Sequence, residues 1–422
     1  MTRVRRLGHA TFSSLRNRNY RLYFIGQIIS VSGTWMQRLA QSWLILDLTH
    51  SGVALGIEAG LQFLPMLLFG AWGGVLADRV DKRRLLYVTQ IAAGLLALVL
   101  GLIVSLHAAA VWNVYLLSIA LGFVNVIDNP ARQTFVLEMV GRDELQNAVA
   151  LNSVVMNSSR VIGPAIGGVV IAVIGLAPCF YLNAASFAAV LVALAMMDST
   201  KLQRVPTVPR AKGQLRDGFR YVWSDRMVRT PLLMMAVIGT LAFNFSVVIP
   251  LIATNVFHQG AGGFGGLTSV LGAGAVLGAL AAASRQGISY RRLLGLAVAM
   301  GVSILAAAAA PSLTLEIVAL FFMGAASFAF IATANTTIQL TTRPDMRGRV
   351  MALYAIAFLG STPVGSPIVG WISQQFGPRI GFAVGGVAAL VSAGAAAVSL
   401  ARVRDERDAR ERRAGMVDAR AA

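Results

Sequence analysis

Two arginines stand in stretches where a charge is costly. Arg38 lies in ISVSGTWMQRLAQSWLIL, residues 29 to 46, flanked by Gln37 and Gln41. Arg160 lies in an apolar stretch of its own, with no acidic residue nearby in its run. Placing an arginine at the centre of a membrane helix costs on the order of 3 kcal/mol or more, so such a residue faces a protein interior or a wet cavity and needs a partner there. Gln27, Ser30, Thr34, Gln37 with Arg38, and Gln41 recur every three or four positions. On a helix they form one polar stripe about four turns long.

Two carboxylates are in reach of Arg38 by sequence, Asp47 and Glu58. By helix rise Glu58 sits at similar depth to Arg38 on the following helix. Two chemistries fit: a structural bridge between two helices, or a proton-carrying carboxylate whose ionisation is governed by burial against the arginine. For Arg160 the nearest plausible carboxylate is Asp128, and substrate anchoring and structural pairing fit equally. Asn125, Asn244, Asn335 and Gln339 are further polar groups that could face a cavity. Phe243, Phe245, Phe328 and Phe330 could supply apolar contacts to a ligand or simply pack.

The elements that must position these residues follow from composition. Of the residues 56% are hydrophobic and 13% charged, with mean hydropathy +0.69, whereas soluble domains average about 25% charged. Apolar runs of about 20 residues cross the hydrocarbon core as helices. Twelve such runs occur: 22–46, 53–77, 85–106, 109–131, 148–174, 177–197, 230–255, 263–284, 293–311, 314–338, 349–374 and 380–401. With both termini cytoplasmic, 33 of the 36 basic residues fall in tails, inner loops or inner helix ends, the exceptions being Arg38, Arg160 and Arg379. Positive-inside topology thus accounts for the net charge of +18 without nucleic acid. The same topology leaves the basic tail free to touch anionic lipid.

The expected organisation is all-α and integral to the membrane, with twelve transmembrane helices in two pseudo-symmetric six-helix bundles. Residues 1–21 form a cytoplasmic arm, retained rather than cleaved as a signal peptide; 22–197 form the first bundle; 198–229 a polar linker; 230–401 the second bundle; 402–422 a basic tail. An offset of 202 residues aligns Thr134 with Thr336, Gly163 with Gly365, Gly168 with Gly370, Gly175 with Gly377 and Phe180 with Phe382. A series in one register points to a parallel duplication, as in transporters built of two six-helix halves.

Two motifs carry more than topology. The loop GGVLADRVDKRRLL packs Gly74, Asp78, Arg79 and Lys82 into one turn. Gly74 and Asp78, one helical turn apart, suit close helix approach and a carboxylate aimed at a neighbouring helix N-terminus. RVIGPAIGG, with Gly163, Pro164, Gly167 and Gly168, is a small-residue packing face with a local break in the helix ladder.

The loop resembles that of the major facilitator superfamily. Together with NRNYRLYFIGQIISVSGTWMQRLAQSWLILDLTHSG, LQFLPMLLFG and DNPARQTFVLEMV, it makes nearly the whole chain similar to the transmembrane secretion effector branch. That branch contains enterobactin, macrolide and multidrug exporters. The resemblance implies that Asp78 latches the two halves on the inner side by contact with the start of the eleventh helix, near Arg349 to Met351. It implies that the G-P-x-x-G-G run acts as an antiporter motif, that the first helix lines a central cavity, and that a monomer suffices. Lys82 replaces the usual arginine, so a forked pairing with a carboxylate such as Asp128 is not expected.

The resulting expectation is a proton-coupled exporter of small amphipathic molecules in the bacterial inner membrane, working by alternating access without cofactor or metal. No nucleotide-binding G-x-x-x-x-G-K-[ST] occurs. A nutrient importer or facilitator of the same fold is the first rival. An enzyme is disfavoured because His9, His50, His107 and His258 are scattered, and the single Cys179 excludes a cysteine metal cluster. A non-transporting sensor or scaffold would leave Arg38 and Arg160 without use.

Overall fold

The computed structural model describes residues 12–203, 214–285 and 287–421, with no strand among them. The first half of the expected arm and linker residues 204–213 lie outside the described residues. The helices are α1 (Arg18–Thr49), α2 (Gly52–Arg79), α3 (Lys82–Ser105), α4 (Val111–Ile174), α5 (Ala177–Met196), α6 (Gln214–Ser224), α7 (Arg226–Leu241), α8 (Phe245–Asn255), α9 (Ala261–Ala283), α10 (Tyr290–Ala309), α11 (Leu313–Thr341), α12 (Arg347–Leu359), α13 (Thr362–Phe376) and α14 (Pro378–Ala421).

Among the described residues ten stretches of helix are long and apolar enough to span a membrane. The expected twelve runs differ from these ten for two reasons. The 64-residue α4 holds two runs joined through Gly141, whose φ of 74° breaks the helix at one residue. The other run is α1, which the polar stripe removes from the apolar class. Two expected single runs are each broken. α7 stops before α8 where Asn244 Nδ2 donates to the Thr240 carbonyl at 2.7 Å, replacing a helical partner with a side chain. α12 gives way to α13 at Gly360 and Ser361, with Pro363 restarting the helix where a missing N–H costs nothing.

Short turns lie at one end of the bundle and longer basic segments at the other. The short-turn end contains His50, His107 and His258, all exposed and all left-handed with φ of 52°, 53° and 51°. Three of the four histidines therefore end helices, and no cluster of metal-holding groups occurs among the described residues.

The 202-residue register reappears in the backbone and in contacts. Gly175 and Gly377 both end helices at positive φ, 91° and 95°, where a glycine carries no Cβ penalty. Phe180 and Phe382 are both buried. A Cβ on Gly163 would stand 2.6 Å from the Ser32 carbonyl oxygen of α1, and one on Gly365 1.8 Å from the Thr240 carbonyl oxygen of α7.

Candidate functional site

The stripe on α1 is an axle: its polar groups reach α2, α4 and α5. Gln27 accepts from Arg132 of α4. Ser32, beside the stripe, bonds Ser159 of α4 at 3.0 Å. Gln37 Oε1 accepts from Asn183 of α5 at 2.6 Å. Gln41 Nε2 donates to Glu58 of α2 at 3.0 Å and to Ser118 of α4 at 2.6 Å. Ser118 also donates to Glu58 at 3.2 Å. Buried polar groups are stable only when so paired, which fixes the rotation of α1.

Arg38 departs from this pattern. The expected bridge to Glu58 is absent among the described ion pairs, because Gln41 and Ser118 occupy the carboxylate. Arg38 instead lies 4.9 Å from the Trp35 ring centroid and 5.8 Å from that of Phe63, and its Nε is buried with no hydrogen-bond partner. Arg160 reaches the same indole from α4, also at 4.9 Å, and touches Phe328 of α11 at 4.2 Å. Its Nε and Nη1 are likewise buried and unbonded. One tryptophan therefore carries two cations. The two guanidiniums, each 4.9 Å from one centroid, stand at most about 10 Å apart, and like charges at that separation repel by roughly 2 kcal/mol at an effective dielectric of about 20. Cation–π contacts of about 0.5–2 kcal/mol each offset that sum without leaving a large surplus.

Trp35 is set by its backing. Gly163 faces α1 so closely that a Cβ there would lie 2.5 Å from the Trp35 Cβ. A cavity of about 130 Å³ runs beside the stripe, lined among others by Thr34, Trp35, Arg38, Asn125, Asp128 and Asn183.

Asp128 does not serve Arg160. It pairs with Arg132 on its own helix and accepts from Thr89 at 2.6 Å and Gln90 at 2.7 Å of α3. The basic loop is also committed locally. Asp81 caps α3 by accepting from Arg84 N at 2.9 Å, and Arg83 donates to the Leu194 carbonyl at the end of α5. Lys82 bonds Glu138 at 2.9 Å with both side chains nearly buried. Beside Gly74, Gly73 makes a close helix approach, where a Cβ would lie 2.0 Å from the Val126 carbonyl oxygen. Arg349 at the start of α12 bonds Asp217 of α6 at 3.4 Å.

In the second half of the chain, Asn244 is buried rather than cavity-facing. It is used up by Thr240 and by Ser366 of α13, whose Oγ donates to it at 2.8 Å. Gln339 donates to Asn335 at 2.5 Å, and the Tyr354 hydroxyl faces Asn335. Phe243 joins Phe245, Phe328 and Phe358 in one aromatic group, while Phe330 is fully buried.

The two halves of the chain meet along two glycine seams near the short-turn end. A Cβ on Gly168 of α4 would stand 2.9 Å from the Gly265 Cα of α9. One on Gly370 of α13 would stand 2.2 Å from the Gly52 carbonyl oxygen of α2. These are register partners at the same offset of 202 residues, making equivalent contacts across the molecule. Ser51 bonds Gln374 at 2.6 Å and Trp43 stacks on Phe264 at 6.1 Å beside them. The first seam runs to Arg160 against Gly272, the second to Leu67 against Gly360.

Sequence reasoning missed Glu316 in the first turn of α11, fully buried with both carboxylate oxygens unbonded. Arg379, whose Nη2 donates to the Ala310 carbonyl at 2.8 Å, is the charge acting on it. The signal was that Arg379 broke the basic-residue pattern. Arg132 was missed because it reads as ordinary loop charge.

A model of the transmembrane secretion effector family matches residues 9–418. The staphyloferrin A transporter of Staphylococcus aureus is 28% identical over 240 residues, 56% of this chain and 59% of that protein. The enterobactin exporter EntS of Shigella boydii is 25% identical over 386 residues, 88% of this chain and 89% of that one. The multidrug efflux pump Tap of Mycolicibacterium fortuitum is 24% identical over 399 residues, 91% and 96%. In fold the chain is similar to the inward-facing, unoccupied crystal structure of a bacterial homologue of the human lysosomal transporter Spinster, with TM-score 0.69, 14% identity and coverage of 91% and 96%.

Proposed function

The chain belongs to the transmembrane secretion effector family of the major facilitator superfamily, and on that premise we propose that it is a proton-driven exporter of small amphipathic molecules. Secondary-active transport of small molecules across a membrane comes with the family. Direction, cargo and coupling ion are what the proposal adds.

The observation that carries it is the pair of glycine seams. They repeat at the 202-residue offset, which supports two six-helix halves, 22–197 and 230–401, joined by the 198–229 linker. Both seams lie towards the short-turn end. With the basic end cytoplasmic by the positive-inside rule, the seams close this conformer on the outside. The halves then rock about the seam. Arg38, Arg160 and the stripe of α1 line the path in this reading, with Asn125, Asn335 and Gln339 at its edges. Asn244 serves the break between α7 and α8 instead.

Glu58 is the proposed proton carrier. It is a buried carboxylate held by two neutral donors, so either charge state keeps hydrogen-bond partners. Asp78 is the proposed latch of the opposite conformer, taking over the start of α12 once Arg349 leaves Asp217. Gly163, Pro164, Gly167 and Gly168 join α1 and α9 to one helix, so motion at the seam reaches Trp35. Export is favoured over import by the named functions of EntS and Tap.

The test is accumulation of a panel of dyes and antibiotics in bacterial cells lacking their own pumps, with and without the protein. Lower accumulation that a protonophore restores is expected. Higher accumulation caused by the protein would reverse the direction.

A further inference from the structure

We infer that Arg38 and Arg160, on their shared indole, form the recognition site for an organic anion with an aromatic body. This deepens the export reading and rests on it for the location of the path.

The argument begins with what the two guanidiniums lack. The buried carboxylates of the first half have partners: Asp128 has Arg132, Glu138 has Lys82, and Glu58 has Gln41 and Ser118. Arg38 and Arg160 have aromatic faces only, and three of their nitrogens are buried without any acceptor. A buried guanidinium without an acceptor is a standing cost, and a second cation on the same ring raises it. An anion that accepts from their unbonded nitrogens lowers both penalties, through charge-assisted hydrogen bonds to atoms that now have none.

The surroundings choose the rest of the ligand. Arg38 lines the cavity beside α1, and Arg160 leans on Phe328, the near member of the aromatic group with Phe243 and Phe358. A ligand whose acidic group meets the guanidiniums puts its body against these rings. Glu58 is the one acidic group whose charge acts on Arg38, and its Oε1 is already held by Gln41 and Ser118. A lipophilic cation would meet two fixed positive charges at the same place, so the site rejects that class.

The test uses three probes of one shape, 2-naphthoate, 2-naphthamide and 2-naphthylmethylammonium, titrated by calorimetry into the full chain in lipid nanodiscs. Naphthoate should bind the wild type about tenfold or more tighter than the neutral amide, and the cation weakest. Arg160→Gln should abolish the preference for naphthoate over the amide, and Arg160→Lys should retain part of it. Equal binding of naphthoate and naphthamide to the wild type overturns the assignment, even should the variants fail to fold. So does an unchanged preference in Arg160→Gln. Flux in proteoliposomes separates the two readings: anion preference without flux driven by a pH gradient strikes the exporter and leaves the site standing. Proton-driven flux of a cation without anion preference does the reverse.

Discussion

The guanidinium carbon of Arg160 lies 4.2 Å from the ring centroid of Phe328, so a cation from the first half of the chain rests on an aromatic from the second. Replacing Phe328 with Leu keeps an apolar side chain but removes the ring quadrupole. The expected loss is about 1–2 kcal/mol of stability, the range of a desolvated cation–π contact. A denaturant midpoint in detergent reads it, and Phe328→Tyr should keep most of the wild-type value.

The glycine seams give a prediction about conformation. Gly370→Ala places a methyl group against the Gly52 carbonyl oxygen, where a Cβ has 2.2 Å. The short-turn ends must separate or the helices must shift. Spin labels on α2 and α13, measured by electron resonance, should report a longer distance than in the wild type. An unchanged distance together with unchanged transport would show that the seam yields without consequence.

Lys82 and Glu138 form a nearly buried pair at 2.9 Å, with side-chain exposures of 11% and 10%. Removing one partner strands the other, which costs about 3–5 kcal/mol for a buried pair. Glu138→Gln should therefore lower the unfolding midpoint strongly. Joint replacement of Lys82 by Met and Glu138 by Leu should recover much of the loss.

Arg349 and Asp217 tell a different story, because their side chains are 30% and 55% exposed. A surface pair of this kind contributes at most about 1 kcal/mol. Asp217→Asn should leave stability nearly unchanged but free Arg349, raising the fraction of molecules closed at the basic end. Asp78→Asn should do the opposite and slow turnover. Normal turnover by Asp78→Asn would remove the latch role.

If Glu58 carries the proton, Glu58→Gln should still exchange substrate across proteoliposomes while losing accumulation driven by a pH gradient. Intact pH-driven accumulation in that variant would assign the proton elsewhere, with buried Glu316 next in line.

The helical class and the places of the apolar runs were legible because burial in lipid forces long uniform segments. The breaks were not. Asn244 interrupts its run through a side-chain bond to Thr240, and nothing in the run announces that choice. The stripe on α1 was legible from period alone, yet its partners were not. Arg38 and Glu58 do sit at comparable depth, but Gln41 and Ser118 reach the carboxylate first. Trp35 was not singled out, since only the fold brings Arg160 to it. The tight approach of Gly73 to α4 was not legible either, because only the position of α4 brings the Val126 carbonyl against it.

The linker helix α6 sets Phe219 and Trp223 in a stack 4.8 Å apart, both half exposed, while Asp217 and Gly218 abut Arg349 on its other side. Aromatic residues of this kind settle among lipid headgroups. In the proposed transport cycle such a contact would moor the start of α12 to the bilayer surface through a single short helix. Headgroup spacing would then act on the rate at which the basic end opens, and turnover is expected to differ between lipids in a reconstituted assay.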